Sequence, residues 1–369
     1  MRLAIDARMM GAGNSRGIGR VTEELLKAML EIAPEHEYVL IEKDVQRGPF
    51  CSHAGCEHVQ ADVHWYGLKE QLAIPRAIIQ TKADLVLVPH WNVSWFSSIP
   101  RVVFIHDLIL REEPASANIS TRGWFVRLIK RIGFRVILHR ALFSARAILV
   151  PTEHVAERIK YHYPSLRVPV HVVGEGMPKV DQSVWREPER PLYLFMLGSA
   201  YPHKNHDLVF RAWPEIHRRY PELRLVIGGK KDAFMQKLEA RVKREKLEGI
   251  SFCGEVPDQE IASRMAGAFA CLFPSRWEGF GLPPLEAMAA GIPVLSSNSS
   301  CMPEVLGQKG VIYFNPSSVD GIVEAVEALF RNPSGVRGDA RMAVADLALR
   351  HDWCKTAKRT LEVCEKVIR

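Results

Sequence analysis

The chain has 369 residues, of which 47% are hydrophobic and 25% charged, and its formal net charge is +7. That length exceeds one ordinary core and fits two α/β domains, and the balance of apolar and charged residues excludes a disordered or collagen-like chain. No run approaches the roughly 20 uninterrupted apolar residues that span a bilayer; the seven cysteines are odd in number and scattered, against a disulfide framework; and residues 1–7 enter a strand without a signal-peptide pattern, so a cytoplasmic protein is expected.

In the first half, short β-rich runs at 3–7, 38–42, 84–88, 102–106, 147–151 and 170–174 alternate with helical stretches. Such alternation predicts a parallel sheet. Between the first strand and a helix over 21–29 lies a glycine-rich loop containing Gly11, Gly13, Gly17 and Gly19. It lacks the full spacing and the placed acid of a dinucleotide fingerprint. Cys51, His53, Cys56 and His58 fit no standard zinc spacing and read as a surface loop. The run at 102–106 ends in His106-Asp107, a polar pair closing a buried strand.

Residues 114–152 contain no acidic side chain, while Arg122, Arg127, Lys130, Arg131, Arg135, Arg140 and Arg146 supply positive charge. On a helical projection Phe125, Leu128, Ile129, Ile132 and Val136 gather on one side, with Arg127, Lys130 and Arg131 on the other. The commoner reading is a domain helix with its apolar stripe on the sheet and its cations in water. The alternative is an anionic membrane surface met through residues 122–146, each Lys or Arg near it contributing about 1 kcal/mol. No nucleic-acid motif accompanies the charge, so no nucleic-acid partner is expected.

A polar, unpatterned stretch at 176–190 reads as a linker. The alternation then restarts, with strands at 192–197, 223–227, 250–253, 271–273, 293–296 and 311–314. Residues 351–369 read as a helix with Trp353, Ala357, Leu361 and Val367 available for packing. The expected division is a first domain at 1–175, a linker at 176–190, a second domain at 191–350 and a terminal helix at 351–369. Each domain is a Rossmann-like α/β unit, the two facing one another across a cleft.

Two strand-to-helix turns of the second half carry chemistry. The first is Leu197-Gly-Ser-Ala-Tyr-Pro-His-Lys-Asn-His-Asp207, where Lys204 can hold a diphosphate as a compact point charge, with Ser199 beside it. The second is Glu278-Gly-Phe-Gly-Leu-Pro-Pro-Leu-Glu286, following the apolar run Ala270-Cys-Leu-Phe-Pro-Ser275. Gly279 and Gly281 let the backbone approach a ligand, and Pro283 and Pro284 suit a first helical turn. Amides of the Gly279, Phe280, Gly281 and Leu282 segment then meet the positive end of a helix dipole beyond a strand's carboxyl end, where open α/β sheets bind phosphorylated ligands. Glu286 in the first helical turn can accept ribose hydroxyls, and Glu278 at the strand end can accept sugar hydroxyls.

The second turn resembles the E-x7-E motif of the retaining GT-B glycosyltransferases of family 4, and Ala289-Ala-Gly-Ile-Pro-Val-Leu-Ser296 followed by Pro303-Glu-Val305 continues that family's pattern. Pro202-His-Lys-Asn205 resembles the family's Pro-Arg-Lys-Asn element, with Lys204 on its phosphate-binding lysine. Some members place an arginine where Ser199 stands, which leaves the backbone amides or Arg276 to supply that share of charge. The His106-Asp107-Leu108 step resembles one that many members place near the donor sugar, which implies a catalytic-site role for His106. The resemblance implies that the loop of Gly11, Gly13, Gly17 and Gly19 approaches acceptor or diphosphate, and that the terminal helix crosses back to the first domain.

The activity implied is retaining transfer of a hexose from a nucleoside diphosphate sugar to a hydroxyl of a glycan or lipid-linked glycan. The best match is mannose from GDP-mannose, in mannosyltransferases of bacterial surface polysaccharide synthesis. No Asp-x-Asp pair occurs, and metal-independent transfer with no cofactor is expected. A nucleotide-sugar epimerase or phosphorylase, or a non-catalytic nucleotide-sugar sensor, would share the same donor site.

Overall fold

A computed structural model describes residues 1–11, 17–63, 65, 67, 69–113 and 124–369, with Arg47 and residues 124–130 described in their backbone alone. Gly13 and Arg122 lie outside the described residues, as do the side chains of Arg127 and Lys130. The chain forms two compact units: Met1–Arg111, Ser120–Gly176 and His351–Arg369 make the first, and Glu112–Ile119 with Met177–Arg350 the second.

The first unit is built on strands β1 (Arg2–Asp6), β2 (Glu37–Glu42), β3 (Cys56–Gln60), β4 (Leu85–Val88), β5 (Arg101–Phe104), β6 (Ala147–Val150) and β7 (Val170–Val172). They lie in the order β3-β2-β1-β4-β5-β6-β7, and every pairing is parallel. Strands β4, β5 and β6 are buried along their whole length, as a sheet covered on both faces requires. Cys56 and His58, expected in a loop, belong to β3 instead. Its sequence Cys-Glu-His-Val-Gln carries no apolar run because it is an edge strand, paired to β2 alone and half exposed. His58 spends its Nδ1 on Glu42 Oε2, 2.6 Å away.

The helix Trp353–Ile368 lies in this first unit along the helix Ile18–Ile32. It begins at Asp352, whose side chain accepts from the Lys355 amide at 2.8 Å, a standard N-cap. Its Ala357, Leu361, Val363 and Cys364 are buried in the core that holds Leu3, Leu25 and Met29.

The helix Trp124–Ser144 corrects the helical projection. Among its described side chains the buried ones are Leu138, Ala141 and Leu142, packed with Val103, Ile105 and Ile148; the side chains of Phe125, Leu128 and Ile129 lie outside the described residues. Ile132 and Val136, expected to pack on the sheet, are 53% and 42% exposed. The projection took its apolar stripe from 125–136, whereas the docking face is set at the helix's carboxyl end by the i, i+3, i+4 set of 138, 141 and 142. Ile132, Arg135, Val136, His139, Arg140 and Phe143 therefore form one outward stripe. Arg140 Nη2 donates to the Trp95 carbonyl at 2.8 Å, tying the helix to a loop on which Trp95 and Phe96 are themselves exposed. Among the described residues no helix is long and apolar enough to cross a membrane.

The second unit repeats the plan with β8 (Tyr193–Leu197), β9 (Arg224–Gly228), β10 (Ile250–Gly254), β11 (Ala270–Phe273), β12 (Val294–Ser297) and β13 (Val311–Phe314). The order is β10-β9-β8-β11-β12-β13, again parallel throughout. The strand order reverses between β8 and β11, and a crevice opens at such a switch because the two following loops leave in opposite directions. The stretch read as a linker is fastened to this unit. Trp185 Nε1 donates to the Ala289 carbonyl at 2.9 Å, and the ring lies where a side chain at Gly291 would stand, 2.8 Å from its Cβ position.

Leu361→Ala should destabilise the first unit by about 2–5 kcal/mol, the usual cost of such a core truncation. Hydrogen exchange should quicken across the helix Ile18–Ile32 while β8 and β11 keep their protection.

Candidate functional site

Both turns singled out in the sequence of the second unit leave from the switch point. After β8 the chain passes Gly198 and Ser199, makes a short 3-10 turn at Pro202–Lys204, and enters the helix His206–Arg219 through Asn205 in the left-handed conformation, φ 61°. After β11 it passes Pro274 to Phe280 and enters the helix Leu282–Ala289 through Gly281, φ 91°. Adjacency of β8 and β11 brings the two turns together.

The meeting point is an ion pair. Lys204 Nζ stands 2.6 Å from Glu278 Oε1, with the two side chains 16% and 9% exposed. The ammonium also lies 4.9 Å from the centre of the Phe273 ring, a cation–π distance. Burial pushes the Glu278 carboxyl upward, but Lys204 and His203 outweigh it and hold the group below its ordinary range. Glu278 is therefore a carboxylate, an acceptor on both oxygens.

Asn205, Ser300 and Arg276, the last named in the sequence reading only as a source of charge, hold this geometry. Asn205 Nδ2 donates to the carbonyls of Pro274 and Pro316 at 3.0 and 2.9 Å, lashing the first turn to the second. Arg276 Nη1 donates to Asn205 Oδ1 at 2.9 Å and Nη2 to the Pro202 carbonyl at 2.9 Å, and the same guanidinium pairs with Glu113. Arg276 is thus committed to bracing the Lys204 turn and is a poor candidate for the missing arginine of the diphosphate site. On the other side the Glu278 amide donates to Ser300 Oγ at 3.0 Å, and that hydroxyl donates to the Glu278 carbonyl at 2.6 Å. An asparagine directly after Lys204 was the visible signal for the first of these clasps; nothing local in sequence marks Ser300.

Two expectations change. Glu286 is not in the first helical turn: the helix starts at Leu282, which puts Glu286 in the second, where it is 5% exposed. The amide supply is also thinner than the motif suggests. Pro283 and Pro284 occupy the first turn, and proline has no N–H. The charge of an anion at this helix would therefore fall more heavily on Lys204. Ser199 lines the same crevice as Gly198, Lys204 and Phe273, where it offers a hydroxyl and no charge.

The remaining calls fall in the first unit. His106 follows β5 with Nδ1 at 2.8 Å from Glu175 Oε1 and Nε2 at 3.1 Å from the Pro89 carbonyl. Both ring nitrogens are engaged, so a sugar contact would have to replace one of these bonds. Gly11 follows β1, and Gly17 precedes the helix Ile18–Ile32 that contains Gly19.

A family model described as glycosyl transferases group 1 matches residues 179–358. The O-antigen chain mannosyltransferase B of Escherichia coli is 31% identical over 204 residues, 50% of this chain and 51% of that protein. The O-antigen chain mannosyltransferase RfbU of Salmonella typhimurium is 25% identical over 275 residues, 74% of this chain and 72% of that protein. The match thus spans about half the length of the first relative and nearly three quarters of the second. Among solved structures, a sucrose-phosphate synthase from Thermosynechococcus elongatus superposes with a TM-score of 0.76 at 16% identity, over 99% of this chain and 98% of that one. That likeness establishes the fold, the GT-B class expected from the sequence.

Two buried histidines beside the ion pair make the second unit acid-sensitive. Burial lowers His203 from 6.5 to about 4, against the pull of Glu278, and lowers His206 to about 3, with Lys204 adding to the effect. Below the ordinary value of 6.5 the unfolded chain takes up protons that the folded chain refuses. Stability is then lost as pH falls, by about 1.4 kcal/mol per pH unit for each group. Urea midpoints for the second unit should drop between about pH 7 and about pH 5, and His206→Gln should flatten that drop.

Proposed function

We propose that this chain, whose residues 179–358 belong to the glycosyl transferases group 1 family, transfers a hexosyl group from a nucleoside diphosphate sugar to a hydroxyl of a glycan or lipid-linked glycan. The observation that carries the reading is the Lys204–Glu278 pair at the switch point of the second sheet. Mannose from GDP-mannose is the donor we favour, supported by relatives named as O-antigen chain mannosyltransferases. The acceptor class follows the same support, a growing surface polysaccharide.

In this mechanism the departing group is a nucleoside diphosphate, and the barrier is governed by how well its growing charge is met. Lys204 meets it as a point charge aided by the helix at Leu282, while Ser199 hydrogen-bonds without charge. Glu278 accepts hydroxyls of the donor sugar and fixes its orientation. The anomeric carbon passes through an oxocarbenium-like state, the acceptor attacks from the face the diphosphate leaves, and a leaving-group oxygen takes the acceptor's proton, so configuration is retained. No metal is required where Lys204 holds the diphosphate. Glu286 accepts ribose hydroxyls, a contact equal in ground and transition states.

The exposed stripe of Ile132, Val136 and Phe143, interleaved with Arg135 and Arg140 and joined to Trp95 and Phe96, supports docking on an anionic membrane surface. Aromatic and aliphatic tips enter the interface while the guanidiniums meet lipid phosphates. A lipid-linked acceptor would be met there, at the inner face of the cytoplasmic membrane.

Glu278→Gln and Lys204→Met should each lower kcat by about 100- to 1,000-fold, the usual loss for one preorganised electrostatic contact, with the fold intact by circular dichroism and with activity of the parent persisting in excess EDTA. Glu286→Gln should chiefly raise KM for the donor. Near-normal kcat in both of the first two variants would remove the proposed site.

Binding to vesicles rich in anionic lipid should weaken as salt rises, since surface attraction is screened within about 8 Å at physiological ionic strength. Replacing Phe96 and Ile132 by Ser should reduce that binding and leave transfer to a soluble acceptor unchanged. Equal vesicle binding by variant and parent would return the stripe to a solvated domain surface.

A further inference from the structure

The Ser275 hydroxyl is a buried polar group that the proposed mechanism leaves unused. Ser275 follows β11 by two residues, on the turn that carries Glu278, and is 1% exposed. Its Oγ completes no hydrogen bond among the described residues. A hydroxyl taken out of water without a partner is costly, and native proteins leave few of them.

Neighbouring bonds fix where this hydroxyl stands. The Pro274 carbonyl accepts from Asn205 Nδ2 at 3.0 Å, the Ser275 carbonyl from Ser297 Oγ at 2.6 Å and the Arg276 carbonyl from Ser299 Oγ at 2.8 Å. The backbone is therefore pinned on both sides, and the freedom left to Ser275 is rotation of its side chain and of the hydroxyl proton. Ser275 lines the crevice of Ser199, Lys204 and Phe273, whose space of about 10 Å³ is the least that holds one water. A substrate group has no room there. Glu278 is within the hydroxyl's influence: burial pushes that carboxyl up, Lys204 and His203 outweigh it, and Ser275 adds to their pull.

We propose that Ser275 is a positioning residue for Glu278, a reserve hydrogen-bond donor that takes over the carboxylate when Lys204 turns to a diphosphate. The inference rests on the donor reading of the Lys204 site. Lys204 has one positive charge, committed to Glu278 at 2.6 Å. A nucleoside diphosphate carries more negative charge than one carboxylate and draws the ammonium toward itself. Glu278 is then a buried anion short of a donor, and the Ser275 O–H swings to it, keeping the carboxylate in place for the sugar. In the ligand-free protein the hydroxyl waits unbonded, which accounts for its missing partner.

Calorimetry of GDP, UDP and ADP binding to the full chain tests this without turnover. Ser275→Ala should bind the preferred nucleotide about tenfold weaker than the parent, as expected when a charged acceptor loses its hydrogen bond. Placed in Glu278→Gln, whose amide is neutral, Ser275→Ala should change affinity by less than about twofold, so that the two substitutions are coupled. The urea midpoint of the ligand-free second unit should not fall in Ser275→Ala, because the hydroxyl removed makes no bond there. Equal affinity of Ser275→Ala and parent would overturn the proposal, and so would an equal loss in both backgrounds, which would make Ser275 a direct nucleotide contact. A lowered ligand-free midpoint would also overturn it, since the hydroxyl would then be bonded before the nucleotide arrives. Parent binding with no effect of Ser275→Ala leaves the donor site standing and removes this inference alone; absence of binding by the parent removes both.

Discussion

The Lys204–Glu278 ion pair is the constraint around which the second unit is arranged. Two charges held 2.6 Å apart and mostly out of water are costly to desolvate, and a buried pair of this kind often stabilises no more than apolar residues of the same volume would. Its persistence is better explained by use than by stability. The surrounding bonds have one effect in common, which is to keep the two turns from drifting apart: Asn205 joins them, Arg276 braces the first, and Ser300 grips the backbone of the second. A site held in this way presents a cation and a carboxylate in fixed register, and that preorganisation is where electrostatic catalysis draws its advantage.

The two units share a strand order and differ in electrostatics. Each sheet reverses direction next to its first strand, at β1 and β4 in one and at β8 and β11 in the other. At the second switch point Lys204 is mostly buried and faces Glu278 across 2.6 Å. In the first, Arg8 is locked between Asp6 and Glu70, with Glu70 also accepting from Asn92 at 2.8 Å, so its charge is spent on structure. The same topology thus carries an ion pair at one switch point and a structurally locked arginine at the other. Topology fixes where ligands bind, and the loop residues fix which.

Most of the architecture was legible in the sequence because buried parallel strands read as short apolar runs. All six strands of the second unit and six of the seven in the first were found this way. The miss, β3, is an edge strand whose polar sequence follows from having one partner and half its surface in water. Lys204 and Glu278 were legible because strand-to-helix turns of unusual composition flank them, and the structure brings those turns into contact. What failed was whatever depended on exact phase or on distant partners. Ile132 and Val136 of the helix Trp124–Ser144 were misplaced because its described packing is at residues 138–142 and not where the charge is densest. Glu286 was placed one turn early because helix starts are not fixed by sequence to within a residue or two. The engagement of both His106 nitrogens by Glu175 and Pro89 joins positions 69 and 17 residues away, and no local pattern announces it.

The account stands on Lys204 being the diphosphate cation, with Glu278 as the charge that faces it in this structure. A diphosphate approaching Lys204 meets the Glu278 carboxylate, which repels it even though the same carboxylate orients the sugar of a full donor. Calorimetric affinity for GDP and UDP, which lack the sugar, therefore tests the claim most directly. Glu278→Gln should bind at least one of these nucleotides tighter than the parent by about tenfold or more, because a unit charge a few ångströms away contributes a few kcal/mol at an effective dielectric near 20. Unchanged or weaker binding of both nucleotides by Glu278→Gln would contradict it.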